Sequence, residues 1–167
     1  CDLPDSPVSR CISRDRINRR ICPDNVGIAA RNGPQMIDSL PQPRTTDPTS
    51  VPALRWGVIG TGWIADQFVT TVTRNTSQRI VAVGSRSLDR AREFAEGHVV
   101  EKACGSYEEL VAQDLDVVYV ATGHLDHASH ARLALEAGRN VLVEKPMTPT
   151  VEATRELVEL ARDKDLF

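Results

Sequence analysis

The sequence predicts an α/β protein built on a doubly wound parallel sheet. Three observations carry that prediction. From Leu54 onward, short runs rich in Val and Ile alternate with amphipathic stretches. The first run breaks into the glycine turn Gly60-Thr61-Gly62. Upstream of it the composition changes character. Strands buried on both faces read as continuous apolar runs, and parallel strands need a helical crossover between them. Strict alternation therefore implies right-handed βαβ crossovers.

Strands are expected over 54–59, 79–84, 116–121 and 140–143, with a weaker one near 98–104. Helical periodicity falls over 63–74, 88–96, 106–112, 125–137 and 149–163. Ser106-Tyr107-Glu108-Glu109 has the pattern of a capping box. Thr148-Pro149 puts proline at an expected first helical position, and Gly138 supplies the left-handed residue that ends the fourth helix.

Residues 1 to about 53 hold eight of the ten prolines, no lysine and no sustained apolar periodicity. Proline removes donors and restricts its neighbour, and little apolar surface offsets the ordering entropy. This stretch reads as a disordered or non-native extension. Its Arg14-Asp-Arg-Ile-Asn-Arg-Arg20 run reads as a solvated charge run. A start at Cys1 instead of Met is read as a missing beginning.

With 167 residues the chain has room for one domain with a real core. A net charge of −3 leaves no footprint for nucleic acid or an anionic membrane. No apolar run is long enough to span a bilayer, and no h-region follows Arg19-Arg20. Cys1, Cys11, Cys22 and Cys104 lack zinc-type pairing, so a reduced, cytoplasmic protein is the expectation.

The chemistry gathers at strand ends. A strand that breaks into Gly60-Thr61-Gly62 and then a helix sets backbone N–H groups where a pyrophosphate can meet them. Gly60 allows the tight turn, Gly62 the close approach, and Ala65 the packing of helix on strand. At the end of the second strand, NAD-specific sites carry an acid for the ribose 2′-hydroxyl. Here Ser85-Arg86 offers a hydroxyl and a guanidinium, which suits a 2′-phosphate and favours NADP(H), with NAD(H) still open. Thr122 and Gly123 follow the fourth strand and are expected to line the same cleft. His124, His127 and His130 precess around a helix without accompanying cysteines or carboxylates, so no metal is expected. His127 is read as capping or lining the cleft and His130 as packing. Glu144-Lys145-Pro146 ends the fifth strand, with a turn fixed by Pro146, through a cis bond or otherwise.

Taken together, these residues make 54–167 resemble the N-terminal domain of the glucose–fructose oxidoreductase, inositol dehydrogenase and rhizopine-catabolism (Gfo/Idh/MocA) family. The resemblance runs through Gly60-Thr61-Gly62-Trp63-Ile64-Ala65, Ser85-Arg86, Tyr107-Glu-Glu-Leu110, Asp116-Val-Val-Tyr-Val-Ala121-Thr122, His127, Leu135-Glu-Ala-Gly138 and Glu144-Lys145-Pro146. It implies a Rossmann fold and an NAD(P)-dependent oxidoreductase acting on sugars, polyols or related alcohols and carbonyls. It further implies that the cofactor lies along Gly60 to Ile64, Ser85 and Arg86, Ala121 to Gly123, His127 and Glu144 to Pro146. Lys145 takes the place of the family's catalytic lysine.

Two departures stand out. Gly123 replaces a common proline, which should loosen that turn. The sequence also stops at Phe167, near where a sixth strand should begin, so the substrate-binding domain is expected to be absent, and with it oligomerisation and turnover. A non-catalytic nucleotide-binding sensor or scaffold is the alternative, and Lys145, which binding alone does not need, favours the enzyme.

Overall fold

The computed structural model describes residues 46–167, so the reading of residues 1–45 lies outside it. Among the described residues, the chain runs β1 (Arg55–Ile59), α1 (Trp63–Asn75), β2 (Arg79–Gly84), α2 (Leu88–His98), β3 (Lys102–Cys104), α3 (Tyr107–Val111), β4 (Val117–Val120), α4 (His127–Glu136), β5 (Asn140–Val143) and α5 (Val151–Asp163). The five strands form one parallel sheet in the order β3-β2-β1-β4-β5. The chain winds outward from β1 to β3, then crosses to the other side of β1 to start β4. That reversal opens a crevice beyond the carboxyl ends of β1 and β4, where open α/β sheets take ligands.

Alternation along β1 feeds two cores. Val58 packs with Ala65, Val69, Val83 and Tyr119 on the face covered by α1 and α2. Ile59 packs with Ala82, Leu110, Val118 and Val120 on the face covered by α3 and α4. Val58 and Ile59 are both fully buried, as a central parallel strand requires. A smaller cluster of Ala131, Leu135 and Leu157 seats α5 on α4.

The predicted doubly wound sheet is present, and the differences are local. The apolar Val99-Val100 pair looked like strand, yet α2 runs on to His98 and Val99 ends it in the left-handed region, at φ 56°. The Val100 N–H closes back on Ala95 O at 2.9 Å and its side chain tucks into the core, so β3 starts only at Lys102. The expected fourth helix splits into a 3₁₀ turn at His124–Asp126 and α4. Gly138 ends α4 at φ 75°, with its N–H on Leu135 O and that of Arg139 on Ala134 O.

Two caps also differ. Thr150, not Thr148, caps α5 by accepting from the Ala153 N–H at 3.2 Å, and Pro149 lies outside the helix. Ser106 accepts from the Glu109 N–H as expected, but the Glu109 carboxylate reaches one residue further back, to the Gly105 N–H at 2.9 Å.

Polar anchors lock the amino-terminal end of the sheet. Gln78 accepts from the Leu54 N–H and the Trp56 indole and donates to Pro52 O, tying residues 52–56 to the start of β2. Arg139 donates to Val111 O, Gln113 O and Leu115 O, holding the turn between α3 and β4. Asp116 accepts from the Arg55 guanidinium at 2.7 and 3.0 Å and from the Arg55 N–H at 2.8 Å. These bonds from the guanidinium, then the backbone, hold its carboxyl down at about 2.

A carboxyl depressed by folding stabilises fully above its unfolded value of roughly 3.9 and loses that contribution as pH falls toward the folded value. We therefore expect the stability gap between wild type and Asp116→Asn, measured by urea unfolding, to shrink from pH 5 to pH 2. A gap that stays constant over that range contradicts the assignment.

Candidate functional site

The turn after β1 is shaped by steric necessity. Gly60 has φ 109°, and its N–H donates to Gly84 O at 2.9 Å. A Cβ there would lie 2.7 Å from Ala121 O, so β1 can leave the sheet between β2 and β4 only through glycine. Gly62, at φ −89°, heads α1 without any side-chain cap. The first helical bond runs from the Asp66 N–H to Gly62 O. The N–H groups ahead of Asp66 thus have no intrahelical acceptor, at the positive end of the helix. A Cβ on Gly62 would meet nothing within 4 Å. Open space over free N–H donors fits a phosphate group.

At the end of β2, Ser85 is buried, and its Oγ accepts from the Ser87 N–H at 3.3 Å while its own hydrogen stays free to donate. Ser87 caps α2 by accepting from the Arg90 N–H. Arg86, just before that cap, and Arg90, in the first turn of α2, both line the cleft. Among the described residues neither guanidinium has an ion-pair partner. No carboxylate precedes them where a 2′-hydroxyl acceptor would stand.

At the end of β4, the Thr122 hydroxyl pairs with His130 Nδ1 at 2.9 Å, and the His130 ring stands edge-on to Tyr107. Burial pushes the Tyr107 phenol up, partly offset by the Arg86 cation, and burial pushes His130 down. Gly123 keeps the conformation of the proline it replaces. Its φ of −66° and ψ of 146° are proline-like, and its carbonyl accepts from the Asp126 N–H.

The cleft so formed measures about 470 Å³. Of the residues read from the sequence, Gly60, Thr61, Gly62, Ile64, Ser85, Arg86, Ala121, Thr122 and Gly123 line it. Trp63 does not. Its side chain is 74% exposed and faces a neighbouring groove beside Phe94 and His98. His127 is not at the cleft surface either. It is fully buried, with Nδ1 2.8 Å from Pro146 O and Nε2 3.0 Å from Thr122 O, so it ties the loop after β4 to the loop after β5.

Glu144, Lys145 and Pro146 are not in the lining either; they lie at the end of β5, next to β4, and the Lys145–Pro146 peptide is cis. Lys145 is exposed. The lining residues absent from the sequence reading are Ser87, Arg90, Tyr107 and Asp126. Arg90 was findable, since it lies four residues after Arg86 at the start of a predicted helix. Tyr107 and Asp126 carried no such signal, because only the fold brings α3 and the 3₁₀ turn to this crevice.

A family model described as an oxidoreductase family with an NAD-binding Rossmann fold, GFO_IDH_MocA, matches residues 54–167. This chain belongs to that family. Its relatives include trans-1,2-dihydrobenzene-1,2-diol dehydrogenase of Bos taurus, 43% identical over 69% of this chain and 35% of the relative. Another is D-xylose 1-dehydrogenase (NADP(+)) of Hypocrea jecorina, 46% identical over 68% of this chain and 32% of the relative. Among solved structures, KijD10, a 3-ketoreductase from Actinomadura kijaniata in complex with NADP, aligns with a TM-score of 0.66. It is 32% identical over 70% of this chain and 37% of that one. The chain thus spans about a third of the length of the curated relatives it matches.

For this Gfo/Idh/MocA chain the two glycines give separable expectations. Gly60→Ala should destabilise the fold by about 1–3 kcal/mol, through a strained backbone and a clash with Ala121 O. Gly62→Ala should leave the melting curve near wild type yet weaken NADPH binding at least tenfold, because the new methyl occupies the phosphate's approach. Unimpaired NADPH binding by a folded Gly62→Ala protein contradicts a phosphate seat at this turn.

Proposed function

We propose that this chain is the cofactor-binding part of an oxidoreductase that prefers NADP(H) and moves hydride between it and a sugar, polyol or related alcohol or carbonyl. The observation that carries the preference is the pair of guanidiniums, Arg86 and Arg90, without ion-pair partners among the described residues and beside the Ser85 and Ser87 hydroxyls. Two cations and two donors match a 2′-phosphate, and an NAD-specific site would place an acid there. The names of the xylose dehydrogenase and of the KijD10 complex, both with NADP, support the same choice.

The nicotinamide group supplies the hydride chemistry when bound. The chain's own residues bind and orient. The turn from Gly60 to Ala65 holds the pyrophosphate, and Arg86 and Arg90 hold the 2′-phosphate. Thr122 and Gly123 wall the cleft. Lys145 is the catalytic residue on this reading. Its ammonium orients and polarises the reacting oxygen from the end of β5, beside the nicotinamide ribose.

Residues 54–167 form the dinucleotide-binding domain and residues 1–53 an extension to it. On this reading the 167-residue chain binds dinucleotide and by itself turns over little, in keeping with its spanning about a third of the length of the curated relatives it matches. A cytoplasmic location is part of the same proposal; among the described residues no helix is long and apolar enough to cross a membrane.

Titration by fluorescence is the test. Wild type should bind NADPH more tightly than NADH. Arg86→Ala and Arg90→Ala should each cost about 1.5–3 kcal/mol toward NADPH, the worth of a hydrogen bond to a charged group, and change NADH binding less than twofold. Equal wild-type affinities for the two nucleotides overturn the preference.

A further inference from the structure

The peptide that carries Lys145 is held on both flanks, on one by the buried His127 of α4 and on the other by Glu144, which the buried Tyr119 of β4 anchors. On the C-terminal flank, His127 contacts Pro146 O at 2.8 Å. The N-terminal flank is more specific. Glu144 continues the pairing of β5 with β4, its N–H donating to Val120 O at 3.1 Å. Both oxygens of its carboxylate are engaged: Oε1 accepts from the Tyr119 hydroxyl at 2.6 Å, and Oε2 accepts from the N–H of Lys145 itself at 3.2 Å.

Tyr119 is a rigid anchor. It is 2% exposed, and its ring stacks on Phe68 with centroids 3.8 Å apart, in the core beneath α1. A short bond from a buried hydroxyl to a carboxylate is charge-assisted and about twice as strong as a neutral one. Packing does not ask for that hydroxyl. Phenylalanine at 119 would fill the same space and stack on Phe68 equally well, and among the described residues the hydroxyl's one partner is Glu144. What the pair does is local to the next residue, an exposed lysine on a long, rotamer-rich stem.

We infer that Tyr119 and Glu144 are positioning residues for Lys145: the buried hydroxyl fixes the Glu144 carboxylate, and the carboxylate fixes the Lys145 peptide. The inference rests on Lys145 standing beside the bound nicotinamide, as proposed above. Fixing the root of the side chain narrows the volume its ammonium samples, so less orientation is left to be imposed when the reacting oxygen arrives.

The sequence holds only three lysines, Lys102, Lys145 and Lys164, so a protein labelled at the lysine ε-carbon gives a readable spectrum, with Lys145→Arg assigning the signal. The probe is NADPH added to the full chain. In wild type the Lys145 signal should move, while those of Lys102 and Lys164 stay. In Tyr119→Phe and in Glu144→Gln the Lys145 displacement should fall at least twofold. In the free protein, the order parameter of the Lys145 amide should drop from a rigid value of about 0.85 toward 0.6, with the rest of the sheet unchanged. Glu144 lies at the surface end of the pair, so Glu144→Gln keeps the test open if Tyr119→Phe folds poorly. A full wild-type displacement in both variants, with an unchanged amide, overturns the positioning role and leaves Lys145 in place. Absence of any wild-type displacement overturns the placement of Lys145 and the inference with it.

Discussion

Everything at the carboxyl end of this sheet depends on how closely three backbones meet at Gly60. Its N–H bonds Gly84 O at the end of β2, and its Cα faces Ala121 O at the end of β4 with no room for a side chain. That contact lets β1 leave between its neighbours and aims α1 with its free N–H groups over the crevice. It also sets the span between Ser85 on one side and Thr122 on the other. The cleft itself follows from the separation of two strand ends around a third. Specificity can then be written into the loops, which the scaffold positions without depending on them.

The distribution of charge follows the same logic. At the amino-terminal end of the sheet, cations are spent on structure: Arg55 is bound to Asp116 and Arg139 to three carbonyls. At the opposite end, Arg86 and Arg90 face the cleft without ion-pair partners among the described residues. Unpaired guanidiniums beside hydroxyl donors keep their capacity for an anion, and a planar fork suits phosphate oxygens. Lys145 repeats the pattern at the end of β5, an exposed cation whose root is held while its head is left available.

The sequence made the layout of the fold legible because Val- and Ile-rich runs, glycine punctuation and caps agreed with one another. It was less informative where a few residues decide between local alternatives. Val99-Val100 reads as strand by composition, but a left-handed cap that buries Val100 won. Thr148 and Thr150 are equivalent as letters, but in the fold Thr148 is buried with its hydroxyl on Thr150 O and the Thr154 hydroxyl, and Thr150 is the residue that caps α5.

In the site, residues adjacent to the glycine turn and on the strand ends were readable from position alone. Side-chain direction was not, which is why Trp63 points away and His127 turned out to be an internal brace. Tyr107 and Asp126 enter the cleft through tertiary placement, and the bond from Tyr119 to Glu144 joins residues far apart in sequence on adjacent strands.

The central claim is that the crevice between the ends of β2, β1 and β4 receives a dinucleotide with its phosphates on the α1 turn. Amide hydrogen exchange read by mass spectrometry, with and without saturating NADPH, tests it over the whole chain at once. The account predicts slowed exchange in segments 59–66, 84–91 and 121–127, and weaker protection of 84–91 by NADH. Protection confined to α4, β5 and α5, with those three segments unchanged, would contradict it.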